Sequence, residues 1–279
     1  MAGKILVLGA TGNVGRPLVA ELLAKGEQVK AASRSGKAAG RAEGVRFDFT
    51  DGTTFAPALD GVDRAYVLAP TGTLDVLGTV LPFVRLAVER KVKIVFQSVS
   101  GADANDDIPY RKIELFIERS GTPYVILRPN WFTDNFEIFW LQGIKHGVIS
   151  VPAGEGKSAF IDVRDIAASA AAALTTDRFD GQAFNLTGPE ALSYGDAAEI
   201  LSQASGRAIA YKPATDGEFV STLVNAGVPK AYAEFLAAIF HPVREGWTAS
   251  VSNAVQTLTG KAPRSVETYA RDYAGVFAA

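Results

Sequence analysis

One stretch near the N-terminus constrains this chain more than any other: Lys4-Ile5-Leu6-Val7-Leu8-Gly9-Ala10-Thr11-Gly12-Asn13-Val14-Gly15. A short apolar run enters a turn with three glycines, and an amphipathic run from Asn13 to about Ala24 leaves it. That order predicts a strand, a tight turn and a helix. The Gly-x-x-Gly-x-x-Gly spacing is a relative of the dinucleotide-binding fingerprint. Gly9 suits a turn that needs positive φ. A side chain at Gly12 would stand where a pyrophosphate must approach the backbone. Gly15 lets the helix pack closely on the strand. The helix N-terminus then offers free N–H groups and a partial positive charge to the anion. The competing reading is a turn that is structural only.

Cofactor choice is expected one strand later. Gln28 to Ala32 reads as a second strand, ending at Ser33-Arg34-Ser35. About 20 residues beyond the glycines, an acid would hold a ribose 2′-hydroxyl, whereas an Arg accommodates a 2′-phosphate. Arg34 lies 19 residues past Gly15, Lys37 follows, and no Asp or Glu occurs between Glu27 and Glu43. A guanidinium binds phosphate bidentately. The pattern predicts NADP(H); a solvated basic loop is the alternative.

Further strands are expected at Val45 to Phe47, Arg64 to Leu68, Val92 to Gln97 and Tyr124 to Leu127. Helices are expected over Leu74 to Arg90 and Tyr110 to Arg119. This alternation predicts an α/β fold, a doubly wound parallel sheet of Rossmann type with helices on both faces. Ligands on such sheets bind beyond the carboxyl ends of the strands. Gly9 to Gly15, Ser33 to Lys37, Asp48-Phe49, Ala69-Pro70, Ser98 to Gly101 and Arg128-Pro129-Asn130 should therefore converge. The pattern then changes. Trp131 to Gln142 is rich in aromatics and reads as a core-facing helix, although Trp131 and Phe132 could instead wall a substrate pocket. Helices follow over Arg164 to Leu174, over Ser193 to Ala204 with Ser193 as cap, twice between Thr215 and His241, and over Ser265 to Phe277; Ala183 to Leu186 reads as a strand.

Composition removes several classes. Among 279 residues, 28 are basic and 30 acidic, with no run of one sign, which disfavours nucleic acid or an anionic membrane as partner. Cysteine is absent, which excludes disulfides and thiolate catalysis. His146 and His241 have no His or Cys partner at ligand spacing, so no metal is expected. The acidic run Asp103 to Asp107 lacks the glycine and distal Glu of a calcium loop. Neither a Gly-x-Ser-x-Gly elbow nor Walker A spacing occurs. The apolar run Ile166 to Leu174 is too short to span a bilayer. The expectation is a soluble cytoplasmic protein, monomer or homodimer, acting on a small molecule.

Candidate proton donors near the fifth strand are Ser98, Ser100, Tyr110 and Lys112. Tyr110-Arg111-Lys112-Ile113-Glu114 is not Tyr-x-x-x-Lys. A Lys one helical turn on would lower the phenol pKa by proximity, but Lys112 is two residues on and faces elsewhere. Tyr110 reads either as a proton donor or as a half-buried structural tyrosine.

The chain resembles the NmrA-like group of atypical short-chain dehydrogenases, and within it the quinone and triphenylmethane reductases. The matching segments are Gly9 to Gly15, Ser33-Arg34-Ser35, Ser120-Gly121-Thr122-Pro123-Tyr124-Val125-Ile126-Leu127-Arg128-Pro129-Asn130-Trp131-Phe132, Asp162-Val163-Arg164-Asp165-Ile166-Ala167 and Val224-Asn225-Ala226-Gly227-Val228-Pro229. The resemblance implies an NADP(H)-binding domain over 1–130, with returning segments near 160–187 and the C-terminal helix. It implies a smaller substrate-capping domain, mainly 131–279, interleaved with the first. It implies that Gly9, Thr11, Gly12, Asn13, Val14, Gly15 and Ser98 hold the cofactor. Arg34 and Lys37, beside Ser33, would meet the 2′-phosphate, and Asp48 and Phe49 would flank the adenine. Ala69, Pro70, Asn130, Trp131 and Phe132 would approach the nicotinamide end, the last three as substrate contacts. Relatives often carry Lys or His where this chain has Tyr110, the candidate catalytic residue. The activity implied is hydride transfer from NADPH to a quinone or dye. The alternatives are a non-catalytic NADP(H) sensor and a sugar-nucleotide epimerase or carbonyl reductase.

Overall fold

Near-continuous apolar runs such as Ile5-Leu6-Val7-Leu8, with every residue fully buried, belong to strands covered on both faces. The computed structural model describes residues 3–278. β1 (Lys4–Val7) leads through the glycine turn to α1 (Gly15–Ala24), β2 (Val29–Ser33), β3 (Glu43–Arg46) and α2 (Phe55–Ala58). β4 (Val62–Leu68), α3 (Val76–Glu89), β5 (Lys93–Gln97), α4 (Pro109–Glu118) and β6 (Tyr124–Pro129) follow. Next come α5 (Asn135–Ile138), α6 (Leu141–Lys145), β7 (Val148–Ile149), β8 (Lys157–Ser158), α7 (Val163–Leu174), β9 (Gln182–Leu186) and β10 (Leu192–Ser193). The rest is largely helical: α8 (Tyr194–Ser205), β11 (Ala210–Tyr211), α9 (Asp216–Asn225), α10 (Lys230–Ala238), α11 (His241–Arg244), α12 (Ala254–Thr259), α13 (Val266–Asp272) and α14 (Ala274–Ala278).

The main sheet has the order β3-β2-β1-β4-β5-β6-β9, and every neighbouring pair is parallel. The order reverses at β1, which pairs with β2 on one side and β4 on the other. In such doubly wound sheets the crevice at the reversal point is where ligands bind. The glycine turn therefore leaves the sheet at that point. An aromatic cluster packs one face: Phe47 stacks on Phe55 at 5.4 Å, and Phe83 meets both rings edge-on at 5.0 and 5.5 Å.

The chain divides into two compact units. The first comprises the described residues up to Pro129, with Val163–Leu186 and Ala254–Lys261. The second comprises Asn130–Asp162, Thr187–Asn253 and the described residues from Ala262. The sequence reading sends the C-terminal helix back to the first unit, whereas the described residues from Ala262 belong to the second. Val266, Tyr269 and Phe277 are buried with Phe136 and Tyr194 in the core of the second unit. The element that returns instead is α12, from a stretch with no clear sequence signal. The second core is built on Tyr194, whose ring lies 5.3 Å from Trp140, 5.3 Å from Phe160 and 5.9 Å from Phe240. Among the described residues, no helix is long and apolar enough to cross a membrane.

Candidate nucleotide-binding site

The turn after β1 is shaped by its three glycines, each differently. Gly9 adopts φ +64°, a left-handed conformation that side chains resist. Its carbonyl accepts from the Gly12 N–H at 2.8 Å, which closes the turn, and Ala10 N–H donates to Ala32 O at 3.2 Å, which ties the turn to β2. A Cβ on Gly15 would lie 2.0 Å from Gly9 O and 2.8 Å from Ala10 Cα. The expected packing of helix on strand is thus a packing of helix on the turn itself. A Cβ on Gly12 would meet only Gly9 O, at 3.2 Å, with open space beyond. Thr11, Gly12 and Asn13 are exposed, while Val14 is buried at the helix entry. No side chain caps α1, and no acid stands in its first turn. An uncapped helix N-terminus behind an open glycine is a ready anion site. The cradle at Gly12 fits a pyrophosphate, because the volume a side chain would take is free.

Around this turn, the ends of β2 to β5 lie at the same carboxyl edge of the first unit's sheet. Ser33 is half-buried, with its hydroxyl 3.4 Å from that of Ser35. Arg34 and Lys37 are exposed, and neither forms an ion pair among the described residues. Asp48 Oδ1 accepts from Thr50 N–H at 2.9 Å and from Thr50 Oγ1 at 2.8 Å. Those bonds, with the positive charges of Arg34 and Arg46 nearby, hold its carboxyl below the ordinary value. Phe49 is half-buried, edge-on to Phe47 at 4.8 Å. Ala69 and Pro70 follow β4, half-buried and exposed.

Ser98, expected to touch the cofactor, is only 1% exposed. Its hydroxyl lies by the Glu114 carboxylate without the geometry of a full hydrogen bond. Sequence reasoning missed this neighbourhood. Glu114 is fully buried, and Arg128 binds it with two bonds, Nε to Oε1 at 2.9 Å and Nη2 to Oε2 at 2.7 Å. Arg111 adds a third at 2.9 Å. Burial works to raise the Glu114 pKa, but the bonds from Arg128 and Arg111, with the Ser98 hydroxyl close by, outweigh it and hold it below the ordinary value. Arg128 also reaches Asp103 at 2.5 Å. The network fastens the segment between β5 and α4 to β6. Its one sequence signal is Arg128 itself, a charge inside an apolar strand, which needs a buried partner.

Tyr110 stands in the first turn of α4, half-buried, its ring tilted against Phe96 at 6.3 Å and packed on the sheet's apolar cluster. Four residues on, where a Tyr-x-x-x-Lys pair would carry its cation, the chain has Glu114. Three expected substrate contacts belong to the second unit. Asn130 is 5% exposed with both ends of its amide engaged: Nδ2 donates to Thr248 O at 2.7 Å, and Oδ1 accepts from Trp131 N–H at 2.8 Å. The Trp131 ring lies 4.7 Å from Phe240, within that unit's aromatic core. Phe132 is half-buried and bridges to Ile161. Among the described residues, no group of three or more His, Cys, Asp or Glu is placed to hold a metal ion.

The model of the NmrA-like family matches residues 1–270. The chain belongs to the NmrA-like family. Among its relatives is an uncharacterised oxidoreductase of Bacillus subtilis, YesF, 36% identical over 276 residues, covering 97% of this chain and 95% of that protein. Another is an NAD(P)H azoreductase of Xenophilus azovorans, 30% identical over 287 residues and covering 99% of each. In three dimensions this NmrA-like chain is similar to the triphenylmethane reductase of Citrobacter sp. solved with NADP(H): TM-score 0.84, 26% identity, 97% of this chain and 100% of that one. The doubly wound fold of the first unit and the glycine turn at its reversal point are what such a family member requires.

Proposed function

We propose that this NmrA-like protein reduces a flat, conjugated small molecule, such as a quinone or an azo or triphenylmethane dye, at the expense of NADPH. That it is a NAD(P)H-dependent oxidoreductase follows from its family and its relatives; the acceptor class and the residue roles are the proposal. One observation carries the cofactor side: an uncapped, acid-free helix N-terminus behind an open glycine, with Arg34, which forms no ion pair among the described residues, at the end of the next strand. When bound, the nicotinamide supplies the hydride. Gly9 to Gly15 bind the pyrophosphate, Arg34 and Lys37 the 2′-phosphate, and Asp48 and Phe49 flank the adenine. The acceptor assignment is supported by the azoreductase and dye-reductase relatives and by Glu114 standing where a Tyr-x-x-x-Lys pair would carry its cation. An acceptor that spreads charge over a conjugated system needs little help from an acid. The second unit, with Asn130, Trp131 and Phe132, is assigned to the acceptor. Asn130 acts there by shaping the segment, since both ends of its amide are engaged.

NADPH oxidation in the presence of quinones, dyes and simple carbonyls tests the proposal. Turnover of conjugated acceptors with little for carbonyls supports it. Tight NADPH binding with no acceptor reduced supports the sensor reading instead.

Tyr110→Phe follows as a prediction. With a quinone, turnover should fall by no more than a few-fold, with cofactor affinity unchanged. A true general acid contributes about 10²-fold or more. A loss of that size, dependent on pH, would make Tyr110 the proton donor.

A further inference from the structure

Arg16 follows the third glycine as the second residue of α1, and its side chain is exposed. It does not extend freely into solvent. Its Nε donates to the carbonyl of Thr11, inside the glycine turn, at 2.7 Å. The two terminal amino groups of the guanidinium make no hydrogen bond or ion pair among the described residues. A cation in the first turn of a helix faces the positive end of the helix dipole, which is unfavourable. Here the Thr11 carbonyl offsets it only in part, since no acid stands in that turn and no side chain caps it. The combination makes physical sense when an anion sits at the turn. A guanidinium held by one nitrogen keeps its remaining fork pre-organised, and that fork matches a phosphate bidentately.

We propose that Arg16 clamps the diphosphate of the bound dinucleotide, separately from Arg34. The inference rests on the nucleotide reading of the site given above. It divides two phosphate groups between two arginines. Arg34, at the end of β2, faces the 2′-phosphate that only NADPH carries. Arg16, at the glycine turn, faces the diphosphate that NADPH and NADH share. Arg16 therefore supplies affinity without selectivity, and Arg34 supplies selectivity.

Titration calorimetry with four ligands separates the roles: NADPH, NADH, ADP-ribose and adenosine 2′-monophosphate. Arg16→Ala should weaken NADPH, NADH and ADP-ribose by a similar factor, roughly tenfold, the low end for a charge-assisted bond on an exposed side chain. The loss should shrink as salt is raised. Adenosine 2′-monophosphate should bind Arg16→Ala as it binds wild type, which also reports that the variant is folded. Unchanged affinity of folded Arg16→Ala for NADH and ADP-ribose overturns the inference. So does a loss confined to NADPH and adenosine 2′-monophosphate, since Arg16 would then serve the 2′-phosphate. In both cases wild type still binds NADPH, and the nucleotide reading stands. Wild type that binds neither dinucleotide overturns that reading and this inference with it.

Discussion

Gly12→Val should abolish nucleotide binding and leave the protein folded. The two halves of that result have separate causes. The fold should survive because a Cβ at this position meets only Gly9 O, at 3.2 Å, and the branches of a valine would extend into open space. Gly15 shows the contrast, since its Cβ would lie 2.0 Å from the same carbonyl and nothing could move aside cheaply. Binding should be lost because the open space in front of Gly12 is where the pyrophosphate lies against the backbone. Displacing it forfeits at least two charge-assisted hydrogen bonds, each about 1.5–3 kcal/mol. That amounts to roughly 10²- to 10⁴-fold in affinity, at about 1.4 kcal/mol per factor of ten. Calorimetric titration of NADPH and a thermal melt on the same sample check both halves. Retained NADPH affinity in a folded variant would show that the turn is structural only.

Arg34→Ala should weaken NADPH and leave NADH nearly unchanged. Arg34 is exposed at the end of β2 and forms no ion pair among the described residues, so its guanidinium is available to a 2′-phosphate. Two charge-assisted bonds, with Lys37 as the second donor, give a preference of roughly 10²- to 10⁴-fold, at about 1.5–3 kcal/mol each. Two features push the value to the lower end. The loop is solvated, so salt screens it. Asp48 also lies near enough for Arg34 to help hold its carboxyl below the ordinary value, and a carboxylate there opposes a phosphate. Equal affinity of wild type for both cofactors, or equal loss of both in Arg34→Ala, would leave Arg34 a solvated surface charge.

The proximity of Asp48 marks a boundary of what the chain shows in one dimension. No acid lies between Glu27 and Glu43 in sequence, but β3 packs beside β2 and brings Asp48 to the same edge. The parallel sheet itself was legible, because strands buried on both faces read as continuous apolar runs and α8 announces itself through Ser193, which forms a capping box with Asp196. The glycine turn was legible for the same reason: its conformation is local. Contacts between distant segments were not. Glu114 looks like an ordinary helix-surface acid until β6 places Arg128 against it. The aromatic run after Asn130 gave a single expected helix, whereas the chain breaks it at Phe139 and Trp140 into α5 and α6. The terminal helix likewise splits at Tyr273 and joins the second core, since an amphipathic face says that a helix is buried but not against what.

Anaerobic reduction of a conjugated acceptor by the purified protein with NADPH tests the proposed hydride transfer most directly. One NADPH should be consumed for each acceptor reduced by two electrons, reaction with NADH at the same concentration should be slow or absent, and Gly12→Val should not react. NADPH bound tightly by wild type with no acceptor in the panel reduced would contradict the proposed transfer.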